Sequence, residues 1–178
     1  DRIAQEGITF TNAHSPSAVC TPTRYGVLTG RYPWRTELKR GVLWGFSEPL
    51  IDRETLTVAD LLKEQGYHTA CIGKWHLGLD MPTTDGEPQR YDQDTHETNV
   101  DWNGAIKDGP LQHGFDYFFG IPASLDMQPY VYMENDRFLQ PATELKAFFR
   151  LGPASPDFEA IDVLPRLTDH AVEFIEKE

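Results

Sequence analysis

The strongest constraint on the fold is a helix that leads directly into a β-strand after residue 57. Thr57 is a residue type that caps helix N-termini, apolar residues with helical spacing follow it, and Gly66 ends the pattern. The next run, residues 67–72, is rich in residues that favour β-structure. A short helix-to-strand connection of this kind is typical of α/β folds, in which helices cover a sheet.

Polar side chains follow at the predicted end of this strand, in the run Gly73-Lys74-Trp75-His76. Open α/β sheets bind their ligands at the carboxyl ends of strands. Lys74 and His76 are two residues apart, so they lie on the same face if the strand continues. Taken alone, Lys74 and His76 are more simply interpreted as ordinary polar residues at the end of a strand.

A second candidate site lies at Cys20, just before a predicted helix N-terminus. Thr21 is a suitable cap, Pro22 suits the first helical turn, Arg24 follows within that turn, and Gly30 ends the helix. The free N–H groups and the dipole of a helix N-terminus favour anions and lower the pKa of a nearby thiol. A reactive cysteine and a buried cysteine beside a capped helix are both consistent with this pattern.

Residues 80–110 form a polar excursion. Seven acidic residues lie between positions 80 and 101, and Arg90 is the one basic residue among them. A run of like charges is typical of a solvated surface insertion, which is the interpretation that we prefer. A loop that binds a divalent cation is the alternative, although the spacing matches no EF-hand.

Local patterns predict five further elements, most of them short. They are a first helix between Asp1 and Gly7, a strand at 8–13, a buried strand at 114–120, a hairpin at 130–139 that turns at 135–136, and a last helix with Leu164, Leu167, Ala171 and Phe174 on one face that runs to Glu178. The last helix reaches the end of the sequence without a residue that would terminate it, and the first helix begins the sequence with no segment leading into it. We therefore expect the chain to be cut from a longer protein at both ends.

Composition excludes some classes of function. The net charge of −12 argues against binding to a nucleic-acid backbone, which requires a basic surface. No apolar run is long enough to span a bilayer. The two cysteines, Cys20 and Cys71, define no disulfide framework, and Cys71 is expected to be an inert core thiol.

Two motifs carry a resemblance to a known family. The run at 20–24, Cys-Thr-Pro-Thr-Arg, and its continuation at 28–31 resemble the signature of the type I sulfatases of the alkaline phosphatase superfamily. The run at 66–78 resembles the second signature of that family, in the right order and at a similar separation. The resemblance implies an alkaline-phosphatase-like α/β fold with a mixed, mostly parallel sheet flanked by helices. Residues 1–178 would be part of a single catalytic domain, truncated at both ends, with 80–110 as a surface insertion.

The resemblance also implies roles for four residues. Cys20 would be oxidised to Cα-formylglycine and act as nucleophile and metal contact. Arg24 would orient and stabilise it, and Lys74 would bridge formylglycine and sulfate. His76 would accept a proton from the second hydroxyl of the hydrated formylglycine, so that the aldehyde re-forms and sulfate is released.

One position departs from the family pattern. Many members have a histidine shortly before a Pro-Tyr pair, where it contacts the sulfate and the leaving group, and Asp126 occupies that place here. A protonated Asp126 would donate to the leaving oxygen, whereas an ionised Asp126 would bind a hydroxyl of the substrate. A third interpretation is an aspartate that caps a loop.

The expected cofactor is calcium. By resemblance, its ligands besides formylglycine are a paired aspartate motif near the start of the protein and an Asp with Asn or Gln far beyond this region. The chain contains no Asp-Asp pair, so we expect those ligands to lie outside residues 1–178 and this segment alone to be inactive.

The expected partners are a sulfate ester and, during maturation, a formylglycine-generating enzyme. Sulfated carbohydrate is the preferred substrate, because Trp34, Trp44 and Tyr130 offer surface on which a sugar can stack. By resemblance, the protein is expected to be periplasmic, secreted or lysosomal. The alternatives are a formylglycine-dependent phosphodiesterase or phosphonate monoester hydrolase, and a non-catalytic binding protein with an unmodified Cys20.

Overall fold

The strand predicted after Gly66 is the first strand of a four-stranded sheet in the computed structural model, which describes residues 1–177. β1 (Ala70–Lys74) pairs in parallel with β2 (Tyr117–Ile121), and β3 (Met133–Glu134) and β4 (Arg137–Phe138) continue the sheet as an antiparallel hairpin. The predicted α/β class with a mixed sheet is confirmed, although two of the three pairings in this sheet of the described residues are antiparallel. The hairpin turns at Asn135-Asp136, as predicted.

The described part of the chain also contains four α-helices and a second sheet, which has two strands. Helix α2 (Cys20–Thr29) contacts helix α3 (Val58–Glu64), and helix α4 (Val163–Lys177) contacts β1 and β2. Glu178, where the last helix was predicted to end, lies outside the described residues. The remaining elements are α1 (Arg2–Glu6), the antiparallel pair β5 (Glu144–Ala147) and β6 (Leu151–Ala154), and three short 3-10 helices at Pro33–Arg35, Pro110–His113 and Ala160–Asp162.

The caps explain where the short helices begin. In α3, the Thr57 hydroxyl accepts from the Asp60 amide and the Asp60 carboxylate accepts from the Thr57 amide, so a capping box forms at the predicted place. In α2, however, Val19 is the extended residue before the helix and Cys20 is the first helical residue. The prediction that Thr21 caps α2 is wrong, because its hydroxyl accepts from the distant Leu43 amide instead.

The strand predicted at 8–13 is absent, and the segment is an exposed loop. Ile8 and Phe10 have 80% and 76% of their surface exposed. A strand requires a partner for its backbone N–H and C=O groups, and no strand within residues 1–177 pairs with this segment.

The core lies on both faces of the sheet. Phe118 and Phe119 are neighbours in β2, point to opposite faces and are both fully buried, each in a separate apolar cluster. Trp75 packs against Phe118, and its indole N–H donates to the Gly78 carbonyl at 2.8 Å. This large buried side chain anchors the segment that directly follows β1.

The polar excursion is exposed in its middle and buried at its ends. Residues 84–98 are mostly exposed, whereas Met81, Val100 and Ile106 belong to the core. The Asn99 side chain is buried and donates to the carboxylate of Asp85 at 2.8 Å. The ends of this segment therefore help to fill the core beside β1.

Gly120, in β2, lies so close to the paired strand β1 that a side chain at this position would clash. A Cβ atom there would lie 1.6 Å from the Gly73 carbonyl oxygen of the paired strand, a contact that backbone cannot relieve without separating the strands. We expect Gly120→Ala to lower the free energy of unfolding by at least about 3 kcal/mol.

Gly86→Ala is the matched control, because Gly86 has φ of 75° but open space around it. This variant carries backbone strain alone, which costs about 1–2 kcal/mol. Urea unfolding of both variants in the full-length protein measures the difference, and equal losses of stability would contradict the close packing of β1 on β2.

Candidate active site

Cys20 is the first residue of α2 and has a partly exposed, free thiol. No side chain caps this helix, and its first turn contains no acidic residue. The N–H groups at the start of α2 and the helix dipole therefore create a positive field at Cys20. This is an environment in which an anionic group is favoured.

Arg24 connects the helix to the end of β1. It lies one turn after Cys20 on the same face, and its Nη1 donates to the backbone carbonyl of Lys74 at 2.5 Å. Lys74 is the last residue of β1 and is partly buried. The hydrogen bond therefore joins the two sequence motifs and holds Arg24 of α2 against the last residue of β1.

The backbone of Leu43 provides a second connection between the motifs. Its amide donates to the Thr21 hydroxyl at 3.2 Å, and its carbonyl accepts from His76 Nε2 at 2.7 Å. Leu43 lies in the loop between positions 31 and 53, which contains one turn of 3-10 helix. The sequence did not point to this residue, and no local pattern identifies it, because it acts through its main chain.

His76 is 1% exposed and has φ of 55°, so the strand ends before it. The expectation that Lys74 and His76 share one strand face is therefore wrong. The backbone ladder nevertheless continues, because the His76 amide donates to the Pro122 carbonyl beyond β2 at 2.9 Å. This contact fixes the backbone of His76 while its left-handed conformation reorients the side chain.

The protonation of His76 follows from its partners. Since Nε2 faces a carbonyl it must carry the hydrogen, and Nδ1 is left as a buried acceptor with no partner among residues 1–177. Burial lowers the pKa of His76 to about 4, the Leu43 hydrogen bond opposes this shift, and the charges of Lys74 and Arg24 reinforce it. His76 is therefore neutral and has one free lone pair, as a proton acceptor requires.

Asp126 is held by Arg150, whose Nη1 donates to the carboxylate at 2.9 Å and to the Asp126 carbonyl at 2.6 Å. Hydrogen bonds from Ser124 and from Arg150 lower the pKa of Asp126. The interpretation as a general acid requires a raised pKa, and these hydrogen bonds act in the opposite direction. The charge of Asp126 slightly opposes the lowering of the His76 pKa.

Cys71 differs from Cys20 in its surroundings. Burial raises the pKa of the Cys71 thiol to about 11, and the charge of Arg24 only partly opposes this effect. A thiol with a raised pKa contains little thiolate at neutral pH, and the thiolate is the reactive form. Cys71 is therefore a structural residue, as expected from the sequence.

The residues present fit only one contact of the calcium ion that the resemblance implies. Within residues 1–177 no group of three or more His, Cys, Asp and Glu side chains is arranged to hold a metal ion. The start of α2 at Cys20 carries the positive end of the helix dipole, which suits a bound anion more than a cation. In the same part of the chain, no helix is both long and apolar enough to cross a membrane.

Comparison with known proteins agrees with these motifs. A family model described as Sulfatase matches residues 1–158. An N-acetylgalactosamine-6-O-sulfatase of Bacteroides thetaiotaomicron is 45% identical over 135 residues, which are 76% of this chain and 23% of that protein. Arylsulfatase H of Canis lupus familiaris is 42% identical over 132 residues, which are 70% of this chain and 20% of that protein.

A solved structure shows the same fold. It is a protein described in connection with the metabolism of multiple glycosaminoglycans by Bacteroides thetaiotaomicron, and it superposes with a TM-score of 0.75 and 32% sequence identity. The alignment covers 99% of this chain and 42% of the solved chain, and the present chain spans less than a quarter of the two curated relatives. The family model and both relatives agree, and the chain belongs to the sulfatase family.

Proposed function

We propose that the whole protein hydrolyses sulfate esters and that residues 1–178 supply its nucleophile, two cationic groups and a base. The observation that supports this proposal is the hydrogen bond from Arg24 to the Lys74 carbonyl, which joins the second motif to α2, the helix that begins at Cys20. Chemically, a hydrated formylglycine at position 20 would supply one hydroxyl oxygen that bonds to sulfur as the S–O bond to the alcohol breaks, and a second hydroxyl whose deprotonation would expel sulfate. A calcium ion would add Lewis-acid stabilisation of the sulfonyl oxygens, with its other ligands outside this segment.

The cationic groups would bind and orient the sulfate. Arg24 is held by its hydrogen bond to the Lys74 carbonyl. Its guanidinium would support the position-20 side chain, which is four residues earlier in the same helix. The Lys74 ammonium is a point charge, which suits contact with two oxygens from different groups. Both charges would stabilise the negative charge that develops on the sulfonyl oxygens in the transition state.

His76 would take the proton that releases the product. Its Nδ1 is the free lone pair, and the Leu43 carbonyl keeps the hydrogen on Nε2. Removing a proton from the second hydroxyl at position 20 lets the C=O bond form while the C–O bond to sulfate breaks. A base limited to this step should affect release of sulfate and leave release of the alcohol intact.

Sulfated carbohydrate is the proposed substrate class. One relative is named an N-acetylgalactosamine-6-O-sulfatase, and the similar solved structure is described in connection with glycosaminoglycans. Trp34 and Trp44 are 58% and 50% exposed, so their rings are accessible. Tyr130 is 1% exposed and donates to the Arg150 carbonyl, so its predicted role in sugar stacking is wrong.

A formylglycine-generating enzyme would act on Cys20 during maturation. The location of the protein would be periplasmic, secreted or lysosomal. The Cys-x-Pro-x-Arg core supports maturation of Cys20 by such an enzyme. Fractionation of the native host would test the proposed location. Comparison of the rates at which the protein hydrolyses a sulfate monoester and a phosphate diester would test the alternative phosphodiesterase activity.

The first prediction concerns Cys20. In a host with the maturation enzyme we expect peptide mass spectrometry to find formylglycine at this position, and Cys20→Ala in the full-length protein to abolish turnover while the protein still folds. Cys71→Ser is the control and should retain activity, because that thiol is structural. Activity of Cys20→Ala near that of the wild type would exclude the proposed nucleophile.

The second prediction concerns His76. We expect His76→Gln to lower kcat at least about 100-fold, yet to release one equivalent of alcohol per enzyme before it stops, because only the second step needs this base. Stopped-flow measurement of the alcohol shows the burst. In the wild type the acid limb of the kcat profile should fall near the lowered pKa of about 4, not at the ordinary value of 6.5, because His76 acts in its neutral form.

His113→Gln is the matched control for loss of a buried imidazole. His113 is also 1% exposed, and burial lowers its pKa as well, but its ring pairs with Asp108. This variant should keep the wild-type kcat. Loss of the alcohol burst in His76→Gln would contradict a role restricted to sulfate release.

The third prediction concerns Asp126. Because its pKa is lowered, we expect Asp126→Asn to leave the basic limb of the kcat profile unchanged and to raise KM for a sugar sulfate while KM for an aryl sulfate stays constant. Steady-state kinetics across pH on both substrates make this measurement. Loss of the basic limb in the Asn variant would restore the general-acid interpretation.

A further inference from the structure

The loop that follows α2 concentrates positive charge on an acidic protein. Residues 31–40 contain one acidic residue, Glu37, whereas the whole chain has a net charge of −12. The basic residues of this loop, all of them exposed, are Arg31, Arg35, Lys39 and Arg40. A local excess of positive charge attracts anions to that part of a surface, whatever the net charge of the protein.

No carboxylate within residues 1–177 forms an ion pair with any of these four side chains. In the same part of the chain, the other unpaired lysine and arginine are Lys74 and Arg24 of the two motifs. All remaining lysines and arginines form ion pairs, and they are Arg2, Arg53, Lys63, Arg90, Lys107, Arg137, Lys146, Arg150, Arg166 and Lys177. The charges of the loop are therefore free to bind an external anion.

The packing of the loop keeps its cations on the outside. Pro33 is buried in a turn of 3-10 helix, and Leu38 packs against the core. Between them, the Lys39 ammonium donates to the Trp34 carbonyl at 3.0 Å, which closes the loop on itself. Two apolar anchors and one hydrogen bond thus fix the backbone from which the charged side chains extend.

Arg31 and Arg35 share one open cavity of about 640 Å³, although they are four residues apart. Glu37 and Asp52 also line this cavity, but neither carboxylate comes within ion-pair distance of an arginine. The two guanidinium groups therefore face the same volume and can contact one anionic molecule together.

Two aromatic rings lie among these cations. Tyr32 and Trp34 are 55% and 58% exposed, and their rings stack with centroids 5.5 Å apart and planes 19° from parallel. Exposed aromatic rings pack on the apolar faces of sugars, and anionic groups on the same molecule pair with arginine and lysine. We call this set of six residues the basic surface: Arg31, Tyr32, Trp34, Arg35, Lys39 and Arg40.

The basic surface extends between the two ends of α2. This helix begins at Cys20, has ten residues and is therefore about 15 Å long, and Arg31 lies just beyond its far end. The loop then returns to the start of the helix, where the Leu43 amide donates to the Thr21 hydroxyl. Arg40 is three residues before Leu43, so their Cα atoms are at most about 11 Å apart.

We propose that the basic surface docks a sulfated polysaccharide while one end of that chain occupies the active site. The cations bind anionic groups on sugars that do not react, and the aromatic rings pack on the sugar rings between them. This inference rests on the proposed function and deepens it, because it makes the substrate a polymer and gives that polymer a binding site apart from the reacting groups. Residues of the basic surface take no part in bond breaking.

The first test measures binding by the full-length Cys20→Ala protein, which cannot turn over its ligand. Titration calorimetry with chondroitin 6-sulfate polysaccharide gives Kd, and we expect the double variant Arg35→Gln/Arg40→Gln to raise it at least about threefold. Arg2→Gln/Lys177→Gln is the matched control. It removes two positive charges from side chains that are 85% and 69% exposed, but each of these is already paired with a glutamate.

A second variant tests the aromatic rings independently of charge. Trp34→Ala should also raise Kd at least about threefold, and it should fold because its side chain is more than half exposed. Phe149→Ala is its control, because Phe149 is 74% exposed and lies between β5 and β6, outside the basic surface.

The third test uses the matured protein with Cys20 intact. In Arg35→Gln/Arg40→Gln we expect kcat/KM for chondroitin 6-sulfate to fall at least about threefold, since the charges that hold the polymer are lost. For 4-nitrophenyl sulfate kcat/KM should change less than about twofold, because this small substrate does not extend beyond the reacting groups.

The outcomes separate the inference from the proposed function. If the wild type cleaves no sulfate ester, the proposed function fails. If it cleaves 4-nitrophenyl sulfate but Cys20→Ala does not bind the polysaccharide, or both double variants bind it equally, the docking surface is excluded and the proposed function stands. Equal affinity for single-stranded DNA would overturn the assignment to a polysaccharide, and equal effects of Trp34→Ala and Phe149→Ala would overturn the role of the rings.

Discussion

The arrangement of the site depends on one charge-assisted hydrogen bond, from the Arg24 guanidinium to the Lys74 carbonyl. It joins a helix to a strand end that is 50 residues away in the sequence. Together with the two main-chain hydrogen bonds of Leu43, it fixes α2 relative to the end of β1. A guanidinium suits this task because it donates in a defined plane and remains charged at any physiological pH.

The strand end in turn depends on the core beneath it. Trp75, which lies between Lys74 and His76 in the sequence, is buried. Its packing on Phe118 fixes the direction in which the chain leaves β1. The next residue, His76, adopts a left-handed backbone that is rare for non-glycine residues. The apolar core, the backbone ladder and the Leu43 carbonyl together hold it in that conformation.

Elements that are determined by residues close together in the sequence could be predicted from it, whereas contacts between residues far apart in the sequence could not. The capping box at Thr57, the strands β1 and β2 and the hairpin turn follow from patterns a few residues long. The roles of Leu43 and of Arg150 do not, because each acts on a partner more than 20 residues away. The ionised state of Asp126 could not be predicted for the same reason, since Arg150 is not adjacent in the sequence.

The contacts of Leu43 have a consequence for how this region tolerates change. Both of its hydrogen bonds use main-chain atoms, so most side chains at position 43 would preserve them. Insertion or deletion of one residue between the two motifs would instead move a different amide and carbonyl into that place. Apolar substitutions at position 43 would therefore keep both hydrogen bonds and the packing of this side chain on the core, whereas changes in loop length next to it would displace both.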